Sequence, residues 1–200
     1  MTHRASCRSP AAGFDQCYNA QAAVAADSLL VIASDVVQAA NDKQQIEPML
    51  DKLHAVPAEL GEPTTVLADH GYFSAANVTA CRSAQIEPLI AAGRQPHHPS
   101  LSDRFAKPPP APENPTPVAA MLHRLATSEG KKLYALRKQI PEPVFGIMKS
   151  ALGFRQFLLR GLDKVGGEWN LVIIAWNMKR SSPSIPGKRA WNARLLTAAR

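Results

Sequence analysis

The chain of 200 residues has few cysteines and no long apolar run, and each absence argues against a class of protein. Its three cysteines, Cys7, Cys17 and Cys81, fit neither a disulfide framework nor a paired zinc site, which favours a reducing cytoplasm. The longest apolar run, residues 171–176, is far shorter than the roughly 20 residues that cross a bilayer. The first 16 residues contain no apolar segment of a secretory signal. We therefore expect a cytoplasmic protein with no membrane partner.

Acidic side chains are scarce in the C-terminal part of the chain. Residues 130–200 carry 14 basic and 3 acidic side chains, whereas residues 1–129 carry 9 basic and 13 acidic ones. The net charges are therefore +11 and −4. This asymmetry fits either a polyanion partner on the C-terminal part or a solvated basic tail.

The order of apolar patterns predicts a mixed α/β sheet within residues 1–93. In chain order we expect a strand hairpin, a helix, a strand, a second helix and a last strand. These elements span residues 18–24 with 29–37, 43–54, 64–69, 74–84 and 86–93. Asn41 and Asp42 are candidate N-caps for the first helix, and Ser74 for the second. The strand, helix, strand order at the end predicts a parallel pair joined by a crossover helix.

The rest of the chain divides into three parts. Residues 94–130 are rich in proline and poor in large apolar side chains, which predicts a surface linker or insertion without a packed core. Residues 131–180 predict a helical part, with one helix from Pro141, a short one around Phe157 and a last one after Gly167. Residues 181–200 predict a loose basic tail.

Asp69 is the first candidate functional residue. It ends an apolar strand and precedes a turn that contains Gly71. Functional side chains of α/β sheets gather at the carboxyl ends of strands, so Asp69 is placed for catalysis. The alternative is that its side chain only caps the turn.

Glu142 is the second candidate, in the first turn of the helix that begins at Pro141. Lys149 lies two turns along the same face, and Gly146 leaves the face between them open. Carboxylate oxygens suit Mg²⁺ and basic side chains suit phosphate, so this face could hold a metal ion beside a phosphodiester. The alternatives are a glutamate stabilised by the helix dipole and an ordinary amphipathic surface.

The run Tyr134, Arg137, Glu142, Lys149 resembles the Tyr-Arg-Glu-Lys signature of bacterial insertion-sequence transposases of the DDE type. LADHGYF resembles the family's Asp-x-Gly-Tyr segment, which carries its second catalytic aspartate. Further segments that resemble the family are YNAQAAV, AANDKQQIEPML, AAGRQPHH, EPVFGIMK and GFRQFLLRGL. Linked motifs in the right order are more specific than any one of them, and together these cover most of residues 14–180.

The resemblance implies an RNase H-like mixed sheet with flanking helices, a proline-rich insertion, and a transposase that cuts and joins DNA with Mg²⁺ or Mn²⁺. In the implied mechanism, carboxylates hold two metal ions, water cuts the 3′ end of the element, and the freed hydroxyl attacks target DNA. Asp69 and Glu142 correspond to the second and third catalytic acidic residues, which are also metal ligands. The implied DNA contacts are Tyr134, Arg137, Lys149 and Arg155. The implied partners are DNA at the element ends and target, and a second copy or full-length transposase.

The chain departs from the family at the first catalytic aspartate, which the family carries on a strand before the YNAQ hairpin. Asp15 lies in a Gly- and Ala-rich leader, and Asp35 at a predicted strand end is either a replacement ligand or a turn residue. We therefore expect a C-terminal portion of a transposase that lacks one strand and one ligand. Residues 1–93 would form a partial core, with weak or no activity alone. The alternatives are a non-catalytic DNA-binding or inhibitory fragment and a remnant that does not fold stably.

Three other features have a structural interpretation. His97 and His98 resemble a metal pair, but adjacent histidines do not easily reach one ion, so a solvated or DNA-facing pair is favoured. Cys81 fits a small buried side chain. Trp169 and Trp176 share a helix face and predict core positions.

Overall fold

A computed structural model describes residues 6–8, 14–39, 41–57, 61–93, 110, 112–181 and 195–199. Its strands are β1 (Ser6–Arg8), β2 (Phe14–Gln16), β3 (Asn19–Ala25), β4 (Val31–Val37), β5 (Thr65–Ala68), β6 (Glu87–Ile90) and β7 (Leu195–Ala199). Its helices are α1 (Ile46–His54), α2 (Ala75–Ser83), α3 (Pro117–Ala126), α4 (Ser128–Gln139), α5 (Pro141–Ser150) and α6 (Leu162–Ser181). A single 3₁₀ turn, His70–Tyr72, follows β5.

The main sheet has five strands in the order β4-β3-β7-β5-β6. Strand β3 pairs antiparallel with β4 and with β7, whereas β5 pairs parallel with β6 and with β7. The predicted hairpin and the predicted parallel pair are therefore confirmed. Strands β1 and β2 form a separate antiparallel pair, so the backbone at Asp15 is in a strand, contrary to the sequence-based expectation.

The middle of the sheet is filled by the end of the chain. The sequence predicts a loose tail from residue 181, but residues 195–199 form β7 between β3 and β5. The facing edges of β3 and β5 carry backbone N–H and C=O groups that need partners when buried, and the apolar run LLTAA supplies them. Strand β7 thus joins the antiparallel hairpin to the parallel pair in one continuous sheet.

Helices cover both faces of the sheet. On one face α1, α2 and α3 pack on β5 and β6 through an apolar cluster that includes Leu50, Val66, Cys81 and Met121. On the other face α5 and α6 pack on β3 and β4. Trp169 and Trp176 of α6 are buried there and donate to the carbonyl oxygens of Gln21 and Leu29, at 3.2 and 2.8 Å. The predictions of a buried Cys81 and of core tryptophans are confirmed.

Several local predictions differ from the structure. Part of the predicted surface insertion forms α3, whose Met121 is 1% exposed, because Thr116 caps the helix and its apolar side packs against α2 and β6. The predicted short helix around Phe157 is not formed, because residues 152–161 contain no helix. The last helix, α6, begins at Leu162 and runs through Gly166 and Gly167, earlier than the predicted start after Gly167. Cys17 is disulfide-bonded, which the odd cysteine count did not predict. Within the described ranges, every helix is too short or too polar to span a bilayer.

Candidate functional site

Asp69 lies at the carboxyl end of β5, directly after four buried residues. Its side chain accepts a hydrogen bond from the backbone N–H of His70 and so caps the 3₁₀ turn. The carboxylate is nevertheless 60% exposed. Asp69 therefore caps the turn, as the alternative interpretation predicts, and its carboxylate also faces solvent at the end of the strand; its catalytic role stays a prediction.

Helix α4 brings two of the predicted residues to Asp69. The hydroxyl of Tyr134 donates to the carbonyl oxygen of Ala68 at 3.2 Å, and Nη1 of Arg137 lies 3.5 Å from Oδ2 of Asp69. The guanidinium carbon of Arg137 is 5.6 Å from the centre of the Tyr134 ring. Residues that are more than 60 positions apart in the chain thus form one polar group at the end of β5.

The two α4 side chains have complementary electrostatic roles. Burial raises the pKa of the Tyr134 hydroxyl, and the nearby Arg137 charge opposes part of that rise. Tyr134 therefore remains a protonated donor at neutral pH. The Arg137 side chain is only 18% exposed, and its buried Nε has no hydrogen-bond partner among the described residues. The Nη end of the guanidinium lies at the exposed Asp69 carboxylate, where its planar charge is suited to an anionic ligand.

Glu142 lies in the first turn of α5, which begins two residues after α4 ends. It is exposed and forms no hydrogen bond or ion pair with the described residues. Lys149 is exposed in the last turn of α5, and a side chain added at Gly146 would meet no atom within 4 Å. The predicted open face is confirmed, whereas Glu142 is not joined to Asp69 by any described contact. Arg155 is exposed in the segment between α5 and α6.

The described residues contain no group of three or more His, Cys, Asp or Glu side chains that could hold a metal ion. Asp35 pairs with Lys52 at 3.0 Å on the α1 side of β4, so the structure does not support it as a replacement ligand. The side chain of Asp15, and His97 and His98, lie outside the described residues. Mg²⁺ is often held by one or two carboxylates together with water and substrate phosphates, and exposed Asp69 and Glu142 have the donor chemistry for this arrangement.

A family model described as a transposase DDE domain matches residues 4–178. The chain belongs to this family. No curated protein and no solved structure matches the chain. The DDE-type assignment made from the motifs is therefore confirmed, and the mixed α/β architecture is compatible with it. Strand β7 lies outside the matched residues, so this DDE domain takes the middle strand of its sheet from beyond the family match.

The sequence interpretation missed a buried polar group behind the turn that follows Asp69. It consists of the buried side chains of Gln21, Asp42 and Asn77 together with the half-buried Asn19. Three of these residues lie in the motifs YNAQ and ANDK, which carry part of the family resemblance. These motifs were therefore a visible signal for the group. The helical pattern that follows Asp42 instead favoured an N-cap role, although the helix begins at Ile46.

Proposed function

We propose that this DDE transposase domain binds DNA and catalyses Mg²⁺- or Mn²⁺-dependent strand cleavage and strand transfer, with Asp69 and Glu142 as its acidic residues. The observation that carries the proposal is the meeting of Asp69 and Arg137 at 3.5 Å, at the carboxyl end of a buried strand. A divalent ion bound there would polarise a phosphodiester and lower the pKa of bound water. We expect the protein to work in the cytoplasm, on DNA at the element ends and the target.

Each residue of the site has a distinct proposed task. Asp69 and Glu142 offer carboxylate oxygens that would hold the ion. Arg137 binds a phosphate oxygen through the Nη end of its guanidinium, which lies at Asp69, and so keeps that phosphate beside the carboxylate. Tyr134 anchors α4 to the last carbonyl of β5 and so fixes the distance between the acidic and basic groups. Lys149 and Arg155, both exposed, contact the DNA backbone.

We further propose that the chain alone is weakly active or inactive. The described residues contain no group of three ligating side chains around Asp69, and a two-ion clamp needs more ligands than Asp69 and Glu142 provide. The test is nicking of DNA that carries the element ends, with Mg²⁺ or Mn²⁺, by the wild type, D69N, E142Q and the control D35N. We expect trace Mn²⁺-dependent nicking that D69N and E142Q abolish and D35N retains. Rapid nicking by the wild type, or nicking that survives D69N, contradicts the proposal.

The second candidate function is a non-catalytic DNA-binding fragment that inhibits full-length transposase or pairs with it. It is favoured by the basic surface of residues 131–181, where the exposed cations are Lys131, Lys132, Lys138, Lys149, Arg155, Arg160, Lys164 and Lys179. Such binding weakens steeply as salt rises, because each neutralised phosphate releases counterions. We expect K149A and R155A to lower the affinity for duplex DNA, and the matched control K52A on α1 to leave it unchanged. Binding that ignores salt, or equal losses in all three variants, contradicts this function.

A further inference from the structure

The loop between β4 and α1 contains a buried carboxylate. Asp42 is 3% exposed, and its Oδ1 accepts hydrogen bonds from the side-chain amides of Asn19 at 2.6 Å and Gln21 at 3.3 Å. Both amides belong to β3, and Gln21 is itself fully buried. A carboxylate removed from water is costly unless it is hydrogen-bonded, so these amides hold Asp42 in one orientation.

The second oxygen of Asp42 lies against the turn that follows Asp69. A Cβ atom added to Gly71 would be 2.9 Å from Oδ2 of Asp42, closer than real Cβ contacts come. Gly71 is not among the glycines with positive φ, so space and not backbone conformation demands glycine here. Asp42 thus contacts the middle residue of the turn from its interior side.

Asn77 links the loop between β4 and α1 to the turn His70–Tyr72 by hydrogen bonds. Its side-chain amide donates to the carbonyl oxygen of Lys43 at 2.8 Å and to that of Tyr72 at 2.7 Å. Asn77 is 3% exposed and lies in the first turn of α2, where Ser74 caps its backbone N–H. The loop and the turn are therefore joined at two adjacent pairs of residues, Asp42 with Gly71 and Lys43 with Tyr72.

We propose that Asp42 is a positioning residue that holds the turn His70–Tyr72 and thereby keeps the Asp69 carboxylate beside Arg137. The metal-binding part of this role rests on the function proposed above for Asp69. The Asp69 side chain is largely exposed, and its described contacts are with the N–H of His70 and with Arg137, while its backbone carbonyl oxygen accepts from the N–H of Tyr72 at 3.1 Å. Its place is therefore set by the backbone of the turn, and Asp42 holds that backbone from the side opposite to solvent.

The first test is a double-mutant cycle with D42A, G71A and the combined variant. In the wild type G71A forces a methyl group against the fixed Asp42 carboxylate, so we expect lower stability and at least tenfold faster amide exchange at residues 70–73. In the D42A background the same methyl group keeps only the ordinary van der Waals contact with the Cβ of residue 42, at 3.9 Å, so G71A should then have little further effect. Additive effects, or turn exchange unchanged by D42A, overturn the proposal.

The second test measures what a purely structural role would not change. Mn²⁺-induced broadening of the Asp69 resonance is followed at a temperature at which every variant is folded. We expect D42A to weaken Mn²⁺ binding at least fivefold and D42N, which keeps one acceptor oxygen for Asn19, to retain part of it. The control is D35A, which removes an acidic side chain from β4 on the side of Lys52. Equal binding by D42A and the wild type contradicts the positioning role.

The experiments distinguish a failure of the metal-ligand role of Asp69 from a failure of the positioning role of Asp42. If the wild type shows no Mn²⁺ broadening at Asp69, the metal-ligand role of Asp69 is wrong. The cycle between Asp42 and Gly71 and the exchange of the turn amides still decide whether Asp42 holds the turn, because neither measurement needs metal.

Discussion

Strands β5 and β7 lie side by side and parallel in the middle of the same sheet, yet they end differently. Strand β5 is followed by Asp69 and by the turn that Asp42 supports. Strand β7 consists of LLTAA and carries no charged side chain. The paired residues are Thr65 with Leu195, Val66 with Leu196 and Leu67 with Thr197. The pairing ends there, two residues before Asp69 on one strand and two residues before Ala199 on the other.

The difference separates two tasks of a sheet strand. Strand β7 satisfies the backbone groups of its neighbours, and any apolar sequence of suitable length can do so. Strand β5 also positions a carboxylate, which requires a buried strand, a turn of fixed shape and the contacts of Tyr134 and Arg137. The following experiments test each task, beginning with the largest expected effect.

Deleting residues 195–200 should abolish the cooperative fold. Without β7 the inner edges of β3 and β5 lose their partners, and each unpaired buried backbone group costs about 1–3 kcal/mol. Several such groups equal the whole stability of a domain, about 5–15 kcal/mol. The measurement is chemical unfolding followed by circular dichroism.

The matched variant for this deletion is T197V, which keeps the strand. Thr197 is fully buried, and its hydroxyl has no hydrogen-bond partner within the described residues. Replacing it by valine should leave stability unchanged or raise it by about 1 kcal/mol. A deletion variant that unfolds like the wild type would show that β7 does not complete the sheet.

High pH should destabilise the side of the sheet that β5 shares with α2. Burial raises the pKa of the Cys81 thiol to about 12, from 9.0 when exposed. The folded state keeps this proton longer, so the stabilisation is complete below pH 9 and is lost as pH rises toward 12. Stability should fall by about 1.4 kcal/mol for each pH unit in this window. The measurement is urea unfolding between pH 8 and 11, and C81A should remove this part of the slope.

A carboxylate placed in β7 should make the two strand ends alike. Ala199 follows the last paired residue of β7 by two positions, as Asp69 follows that of β5, so we expect A199D to raise Mn²⁺ affinity about tenfold, which corresponds to about 1.4 kcal/mol. The control A199N has the same shape without the charge and should bind like the wild type. The gain should disappear when D69N is added to A199D. Equal Mn²⁺ affinities of A199D and A199N would refute this reading of the register.

The smallest expected effect concerns the contact that fixes α4 on β5. Y134F removes the hydrogen bond from the Tyr134 hydroxyl to the carbonyl oxygen of Ala68. Loss of a single hydrogen bond should lower the free energy of unfolding by about 1 kcal/mol. DNA affinity should fall as well if α4 carries Arg137 to the phosphate. A fall in stability with unchanged DNA affinity would restrict Tyr134 to a structural role.

Much of the local structure was predictable because it depends on short-range patterns. The hairpin, the strand before Asp69, the helix capped by Ser74 and the helix that begins at Pro141 all follow from apolar spacing and capping residues. The candidates Asp69, Tyr134 and Arg137 were found by motif, and the structure brings them together. Their catalytic and DNA-binding roles, and those of Glu142, Lys149 and Arg155, remain predictions.

What was missed depends on long-range contacts. The apolar side of helix α3 is buried because it packs against α2 and β6. Asp42 has the sequence context of an N-cap, yet its partners are two amides of β3 more than 20 residues earlier. The Asp42 arrangement leaves no periodic signal in the sequence. In α3 the helical spacing of Val118, Met121 and Leu125 was present, but the proline-rich composition before it favoured a linker.

The sequence by itself determined the family, the elements around β5 and the candidates Asp69, Tyr134 and Arg137, because motif spacing and periodicity are local properties of the chain. Only the tertiary structure decided that the last residues fill the middle of the sheet and that Asp42 supports the Asp69 turn. The physical reason is the same in both cases. Unpaired backbone groups and buried carboxylates must find partners, and those partners are fixed by proximity in space and not by position along the chain.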